Sequence, residues 1–193
     1  MKKRGVFTEK SNWNVLKLLK IRASEYGNRE FIKFDCGSAL SFKSLDELSD
    51  KMACKLLNIG LKEDENVFCL LKNSPEFLIS LFAVMKTGAV FVPINTELRG
   101  QFLEHQYLNC EPKIAIIDNG LLDIFNDIKP QKKRLKGTII TDTFDNESLP
   151  TALHSEESLS FNSCFENIVN MSDLRLLESA SIHKICAIMY TSG

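Results

Sequence analysis

The sequence contains few of the residue patterns on which stand-alone catalytic and metal sites depend. Its three histidines are far apart, and none stands at a metal-ligand spacing from another histidine or a cysteine. There is no G-x-S-x-G nucleophile elbow, no Walker lysine loop and no G-x-G-x-x-G motif after an apolar run. These absences argue against a zinc enzyme, a serine hydrolase and a P-loop enzyme. No catalytic residues and no metal ligands are predicted.

The sequence also lacks an excess of charge of either sign. Its 24 basic and 25 acidic residues give a formal net charge of −1. A chain with this balance has no overall field that attracts nucleic acid or an anionic membrane, so neither is predicted as a partner. The one basic run, at 132–136 after Pro130, is typical of a solvated connection.

Cysteines are present, but without a C-x-x-C pair or the spacing of a disulfide framework. Cys54, Cys69 and Cys186 fall in apolar stretches, which predicts that they are small buried hydrophobic residues. Scattered cysteines of this kind are typical of a reducing compartment, so a cytoplasmic location is expected. The basic start at 1–4 is not followed by an apolar segment, and no signal peptide is predicted.

One long apolar run, 77–94, has about the length of 18 residues that a membrane-spanning helix needs. Lys86, Gly88 and Pro93 interrupt it, and Gly88 divides it into a helix-like and a strand-like half. A buried helix followed by a buried strand is therefore predicted, and no membrane span.

Residues 1–43 are predicted to form a leading helix and a hairpin. Apolar residues on one helical face predict the helix over 12–26. A short strand at 31–34, a turn at 36–38 and a return strand predict the hairpin.

The next helix is predicted over 45–59, where apolar residues form a single stripe. Two starts are possible for it. Ser44 and Glu47 have the spacing of a capping box, and Ser41 is the competing N-cap. Gly60 supplies the left-handed residue that ends the helix.

Helices and strands alternate along 44–141. Ser74 is the predicted N-cap of one helix, Pro75 its first residue and Gly88 its stop. Alternation of this length predicts an α/β fold with right-handed crossovers and a mostly parallel sheet flanked by helices. The predicted strands are 66–71, 89–92, 114–117 and 138–141, and the further predicted helices are 75–86, 101–108 and 121–128.

The last part of the chain ends in a candidate phosphate loop. Residues 142–184 are rich in Ser, Asn and Glu and are predicted as an irregular excursion with one or two short helices. A buried strand is predicted at 185–190, followed by Thr191-Ser192-Gly193. Hydroxyls and exposed backbone N–H groups can hydrogen-bond phosphate oxygens, and glycine permits close backbone approach. Because such tripeptides also occur in ordinary turns, the residues alone leave this role open.

Three blocks of the sequence resemble the amino-terminal part of the adenylate-forming (AMP-binding) enzymes, which include acyl-CoA synthetases, luciferases and peptide-synthetase adenylation domains. The blocks are 40–67, 73–99 and 187–193. The resemblance covers about 31–193 and is poor across 142–184. Within the family the chain is most similar to crotonobetaine/carnitine–CoA ligases, and it has Asn95 where peptide-synthetase domains usually show Asp-Pro.

The resemblance implies the amino-terminal part of an ATP-dependent acid–CoA ligase. In this family the loop continues past Thr-Ser-Gly into further Thr and Gly residues and a Pro-Lys-Gly, and it holds the ATP phosphates. The substrate carboxylate attacks the α-phosphorus, pyrophosphate leaves, and the CoA thiol attacks the acyl-adenylate. ATP, Mg²⁺ and CoA are thus the implied cofactors. By match to the motif, Thr191, Ser192 and Gly193 would contact phosphate.

The rest of the family's site lies downstream of this loop. The adenine pocket, the ribose-binding acid, the acyl pocket and the lysine of the carboxy-terminal domain are all beyond Gly193, so the 193-residue chain is expected to be inactive alone. Some relatives carry an arginine after the 89–92 strand that meets the CoA phosphate. Here Glu97 takes that position and Arg99 is the nearest candidate, so a CoA contact is not predicted there.

Two other interpretations remain open at this point. One is a naturally truncated, non-catalytic relative that acts as a binding or interaction module, and the other is an unrelated flavodoxin-like domain. A fragment of a domain should expose an apolar sheet edge and self-associate. An evolved module should be monodisperse and melt cooperatively, and a flavodoxin-like domain should bind a mononucleotide.

Overall fold

The computed structural model describes residues 14–35, 37–128, 135–141, 158–166 and 184–191. The helices are α1 (Val15–Tyr26), α2 (Phe42–Asn58), α3 (Pro75–Lys86), α4 (Gly100–Cys110) and α5 (Leu122–Asp127). The strands are β1 (Glu30–Lys33), β2 (Ala39–Ser41), β3 (Asn66–Leu70), β4 (Val90–Pro93), β5 (Ile114–Ile117), β6 (Gly137–Ile140) and β7 (Ser158–Ser160). Short 3₁₀ turns cover Asn119–Leu121 and Asn162–Phe165.

Among the described residues, the main sheet has five strands in the order β4-β3-β5-β6-β7, and every neighbouring pair is parallel. The predicted α/β fold with a parallel sheet is confirmed. The antiparallel pair β1 and β2 forms the predicted hairpin. Parallel strands covered on both faces are continuous apolar runs, and β5 illustrates this because all four of its residues are buried.

Two hydrophobic cores lie on the two faces of the sheet. One face packs against α1, α2 and α3, with Leu45 and Met52 completely buried there. The other packs against α4 and α5, where Phe68 of β3 contacts the rings of Tyr107 and Phe125 at centroid distances of 5.3 and 5.8 Å. The sheet is thereby held rigidly between two helical layers.

Helix α2 resolves the choice between the two predicted starts. The Ser41 side chain accepts from the Ser44 N–H at 3.0 Å, and the Ser44 hydroxyl accepts from the Ser41 N–H at 2.8 Å. The box predicted from Ser44 and Glu47 is therefore wrong, because Ser44 itself occupies the third position of a box that begins at Ser41. Glu47 lies 3.7 Å from Lys43 on the exposed side of the helix.

Helix α3 begins and ends as predicted. The Ser74 hydroxyl accepts from the Phe77 N–H at 3.3 Å, and Pro75 is the first helical residue. Beyond the helix, Gly88 has a φ of +73°, a value that L side chains rarely adopt. The apolar run 77–94 is thus divided between α3 and β4, and no helix among the described residues is long and apolar enough to cross a membrane.

A buried charge cluster, which the sequence pattern did not indicate, joins α2 to α3. The side chain of Lys86 is only 4% exposed. Its Nζ lies 2.7 Å from Asp46 Oδ1, 2.5 Å from Asp50 Oδ1 and 2.9 Å from the Asp46 carbonyl oxygen. In the sequence this lysine is a polar break in the apolar pattern of α3, whereas in the structure it ties the two helices together.

Two predictions near the end of the chain are corrected. The excursion predicted over 142–184 contains a strand, β7, which adds to the sheet beside β6. The rest of that range, 142–157 and 167–183, lies outside the described residues. The strand predicted at 185–190 is present only as one parallel bridge between Phe91 and Ala187.

Of the three cysteines predicted to be buried, two are buried and one is exposed. Cys54 and Cys69 are buried, and burial raises the pKa of the Cys69 thiol well above its ordinary value. Cys186 is exposed, which makes its prediction wrong. It lies next to the bridge residue Ala187 at the sheet edge. Its carbonyl accepts from the Phe91 N–H, and no described element covers its side chain.

Candidate functional site

The candidate ligand site lies at the carboxyl edge of the sheet, the edge formed by the carboxyl ends of its parallel strands. The chain passes from β3 to β4 on one side and then returns to β5 on the other side of β3. In open parallel sheets, ligands bind outside the carboxyl ends of the strands at such a reversal of strand order. The segments that leave β3, β4 and β5 at this edge therefore define the candidate site.

A charged pair lies where the strand order reverses. Lys72, just after β3, places its Nζ 3.3 Å from Oδ1 of Asp118, just after β5. The same Asp118 oxygen accepts from the Gly120 N–H at 2.9 Å, so Asp118 caps the 3₁₀ turn that follows β5. A Cβ at Gly120 would lie 3.1 Å from Lys72 Nζ, so a larger residue would crowd the pair.

The turn after β4 is built around Asn95. Its Oδ1 accepts from the Glu97 N–H at 2.9 Å, and its carbonyl accepts from the Leu98 N–H at 3.2 Å. Arg99 is exposed, but its guanidinium donates to the carbonyl oxygens of Thr96 and Leu98 at 2.6 and 2.7 Å. The guanidinium thus bonds to the backbone of its own turn.

The terminal segment, residues 184–191, approaches the same edge. It is anchored by the bridge at Ala187, where the Phe91 N–H donates to the Cys186 carbonyl and the Ile188 N–H donates to the Phe91 carbonyl, both at 3.0 Å. Because this bridge is parallel to β4, the chain beyond it runs toward the carboxyl ends of the strands. Thr191 lies there and is exposed.

Only the first of the three predicted phosphate ligands can be placed. Thr191 is exposed, and its hydroxyl and backbone N–H are donors of the kind that phosphate oxygens accept. Ser192 and Gly193 lie outside the described residues. Their role, and that of Thr191, stays a prediction.

Tyr190, the residue before Thr191, makes a contact that sequence reasoning missed. Its hydroxyl lies 2.8 Å from Oδ1 of Asn109 and 3.4 Å from the carbonyl oxygen of Gln106, both on α4. Its ring packs against the core formed by α4 and α5. Burial, with a smaller contribution from Cys110, raises the pKa of the Tyr190 phenol, which remains a hydrogen-bond donor at neutral pH.

The described part of the chain gives no support to metal binding or to nucleophilic catalysis by Cys110. No group of three or more His, Cys, Asp or Glu residues there could hold a metal ion. His105 is exposed on α4, and His154 and His183 lie outside the described residues. Burial raises the pKa of the Cys110 thiol to about 12, so this cysteine is not a nucleophile at neutral pH.

The parallel sheet, with its reversal of strand order, is that of an α/β protein whose ligand site is expected at the carboxyl ends of the strands. The family model described as AMP-binding enzyme matches residues 19–193. The chain therefore belongs to the AMP-binding enzyme family, as its resemblance to adenylate-forming enzymes implied.

The chain is similar to several curated members of the family. It is 27% identical over 120 residues to the medium/long-chain-fatty-acid–CoA ligase FadD6 of Mycobacterium tuberculosis, an alignment that covers 62% of this chain and 20% of FadD6. It is 26% identical over 148 residues to a plipastatin synthase of Bacillus subtilis, covering 76% of this chain and 5% of that protein. The chain thus spans only a small part of the relatives that it matches.

Solved structures show the same fold. The coronafacic acid ligase of Pectobacterium brasiliense matches with a TM-score of 0.78 at 17% identity, covering 92% of this chain and 33% of that one. The anthranilate CoA ligase AuaEII, solved with anthranoyl-AMP, matches with a TM-score of 0.69 at 20% identity, covering 94% of this chain and 32% of that one. At these identities the likeness establishes the fold of the amino-terminal portion.

Proposed function

We propose that this chain is the amino-terminal part of an ATP-dependent acid–CoA ligase, an enzyme that activates a carboxylate as the acyl-adenylate and transfers the acyl group to CoA. The observation that carries the proposal is the match of the AMP-binding family model through residue 193, together with the exposed Thr191 at the carboxyl edge. The names of FadD6 and AuaEII as CoA ligases support the choice of CoA as acceptor.

Within this function, Thr191, Ser192 and Gly193 contact the phosphates of ATP. Their hydroxyls and N–H groups neutralise charge on the phosphate oxygens and hold them in place, which is the kind of catalysis that phosphoryl-centre reactions need. Mg²⁺ prefers phosphate oxygens and water as ligands, so the ATP phosphates would supply much of its coordination. ATP supplies the activated phosphorus that the substrate carboxylate attacks.

The carboxylate is proposed to be small or medium in size. Similarity to crotonobetaine/carnitine–CoA ligases suggests a polar acid as one substrate to test. Asn95, where peptide-synthetase domains usually have Asp-Pro, favours the CoA ligase branch. The similarity to plipastatin synthase favours a second candidate, an adenylating segment of a synthase of that kind.

The test of the phosphate contact is an NMR titration of the ¹⁵N-labelled chain with magnesium-ATP and with sodium tripolyphosphate. We expect saturable shifts of the Thr191, Ser192 and Gly193 amides, weakened by Thr191→Ala. Thr96→Ala, the same change in the turn after β4, is the control and should bind as the parent chain does. The proposal is contradicted if the three amides do not respond, or if the shifts concentrate elsewhere.

The chain alone is expected to make no acyl-adenylate. The other elements of the family's site lie downstream of residue 193, so binding of phosphate is not followed by reaction. Pyrophosphate release is the readout, measured with a panel of carboxylic acids. Release above the no-enzyme background would contradict this expectation, and absence of both release and phosphate binding would favour the non-catalytic module.

A further inference from the structure

The terminal segment has few anchors to the rest of the fold. Lys184 pairs with Glu63 and, at 3.8 Å, with Asp64 near the amino ends of the strands. The bridge at Ala187 follows, and its last backbone hydrogen bond is donated by Ile188. Tyr190 is the last residue before Thr191 whose side chain holds the segment to another described element.

The partner of Tyr190 is an exposed side chain on a helix that packs against the sheet. Asn109 lies near the end of α4, between Tyr107 and Cys110, which are both buried. The Tyr107 ring packs edge-on against Phe68 of β3 and Phe125 of α5. A hydrogen bond to Asn109 therefore fixes the position of Tyr190 relative to α4 and, through α4, relative to the sheet.

From this geometry we propose that Tyr190 is a positioning residue, whose hydrogen bond to Asn109 fixes the direction in which the chain leaves the sheet edge and enters the phosphate loop. The proposal rests on the proposed function in that Thr191 to Gly193 are taken to contact phosphate. Without the tether, Met189 and Tyr190 would separate Thr191 from the last backbone hydrogen bond of the bridge, which Ile188 donates, and both residues could rotate. A phosphate site built from backbone N–H groups depends on their common orientation.

Tyr190→Phe removes the hydroxyl and keeps the ring against the core, and Asn109→Ala removes the acceptor. In each variant we expect a lower ¹H–¹⁵N heteronuclear NOE at Thr191 and about fivefold weaker tripolyphosphate binding, the ratio that corresponds to a net hydrogen bond of about 1 kcal/mol. The double variant should be no weaker than either single variant, because both changes break one interaction. The free energy of unfolding should fall by no more than this amount of about 1 kcal/mol, so each variant stays folded in the binding measurement.

Two controls sharpen the comparison. Tyr26→Phe removes another tyrosine hydroxyl, which lies 3.3 Å from Arg22 Nη1 on α1, and should leave Thr191 as in the parent chain. Asn109→Asp keeps the accepting oxygen and should preserve the NOE of Thr191.

Three results would overturn the proposal. They are an unchanged NOE at Thr191 in both single variants, a double variant with additive loss, and a Thr191 that is already as mobile as a free tail in the parent chain. Failure of the proposed function looks different. In that case tripolyphosphate leaves the Thr191 amide unshifted, while the NOE comparison still decides whether the tether orders the loop.

Discussion

Lys86 joins α2 to α3 through the buried charge cluster with Asp46 and Asp50. Lys86→Met keeps the length of the side chain but leaves Asp46 and Asp50 without their cation. Removing one partner of a buried ion pair costs about 3–5 kcal/mol. We expect about 3 kcal/mol, the lower end, because the two carboxylates are 18% and 25% exposed and retain contact with water. Urea unfolding measures the change.

The matched control for Lys86 is Lys43, which pairs with Glu47 on the surface of α2. Lys43→Met should change the free energy of unfolding by less than about 1 kcal/mol, since exposed ion pairs contribute little. Equal losses in the two variants would show that the buried cluster is not special.

Glu65 makes the stability of the fold dependent on pH. Burial raises the pKa of Glu65, but hydrogen bonds from Lys136 Nζ at 2.6 Å and from the Lys62 N–H at 2.8 Å, with the charges of Lys136 and Lys113, bring it below the ordinary value of 4.5. A lowered pKa stabilises the fold above the unfolded-state value, and this stabilisation is lost as the pH falls through the folded-state pKa.

Glu65→Gln is therefore expected to lower the free energy of unfolding most at pH 7. The difference in free energy of unfolding between the variant and the parent chain should shrink below about pH 4.5. There the unfolded carboxyl begins to bind a proton, while the folded carboxyl is still ionised. Urea unfolding at several pH values between 7 and 3 checks this. Glu104→Gln, on the exposed face of α4, should cause no comparable change, and a pH-independent difference for Glu65→Gln would refute the linkage.

At the scale of single elements, the start of α2 provides a direct test. Ser41→Ala removes the N-cap and one half of the capping box, which should cost about 1 kcal/mol in urea unfolding. Glu47→Ala changes the residue of the competing box and should cost less than about 0.5 kcal/mol, since its partner Lys43 is exposed. The opposite order of the two losses would restore the rejected start.

The elements were predictable where a local signal was strong. Ser74, Pro75 and Gly88 mark both ends of α3, and the apolar runs at β3 and β5 mark buried parallel strands. The start of α2 was ambiguous because Ser41 and Ser44 both have capping chemistry. The strand β7 was missed because its three residues, Ser158–Ser160, have little apolar pattern and are held by pairing with β6.

Side-chain partners at the candidate site were not predictable from local pattern. Lys72 and Asp118 are 46 residues apart in sequence, and Tyr190 and Asn109 are 81 apart. Strand order brings the first pair together, and the packing of α4 on the sheet brings the second. Thr191 could be proposed because its chemistry lies in a contiguous tripeptide, and even there the resemblance to a family carried more weight than the residues themselves.

At the scale of the whole molecule, the sheet edge beside β4 exposes apolar side chains. Ile185 and Met189 in the terminal segment are 64% and 73% exposed. Exposed apolar groups at a sheet edge promote association between chains. We therefore expect the chain to bind a hydrophobic dye and to self-associate with rising concentration, as sedimentation velocity would measure.

Met189→Lys should reduce both dye binding and association. The control is Phe102→Lys on α4, outside the terminal segment. It removes an apolar side chain of similar exposure, 76%. A monodisperse parent chain with a cooperative melt would argue instead for an independent interaction module.

The central claim is that this chain is the amino-terminal portion of an acid-activating enzyme whose phosphate loop begins at Thr191. Determining the gene sequence beyond the codon for Gly193 tests it most directly. We expect codons for further Thr and Gly residues and a Pro-Lys-Gly to follow in frame. A stop codon, or an unrelated sequence, would contradict the ligase assignment and leave a binding module as the function to test.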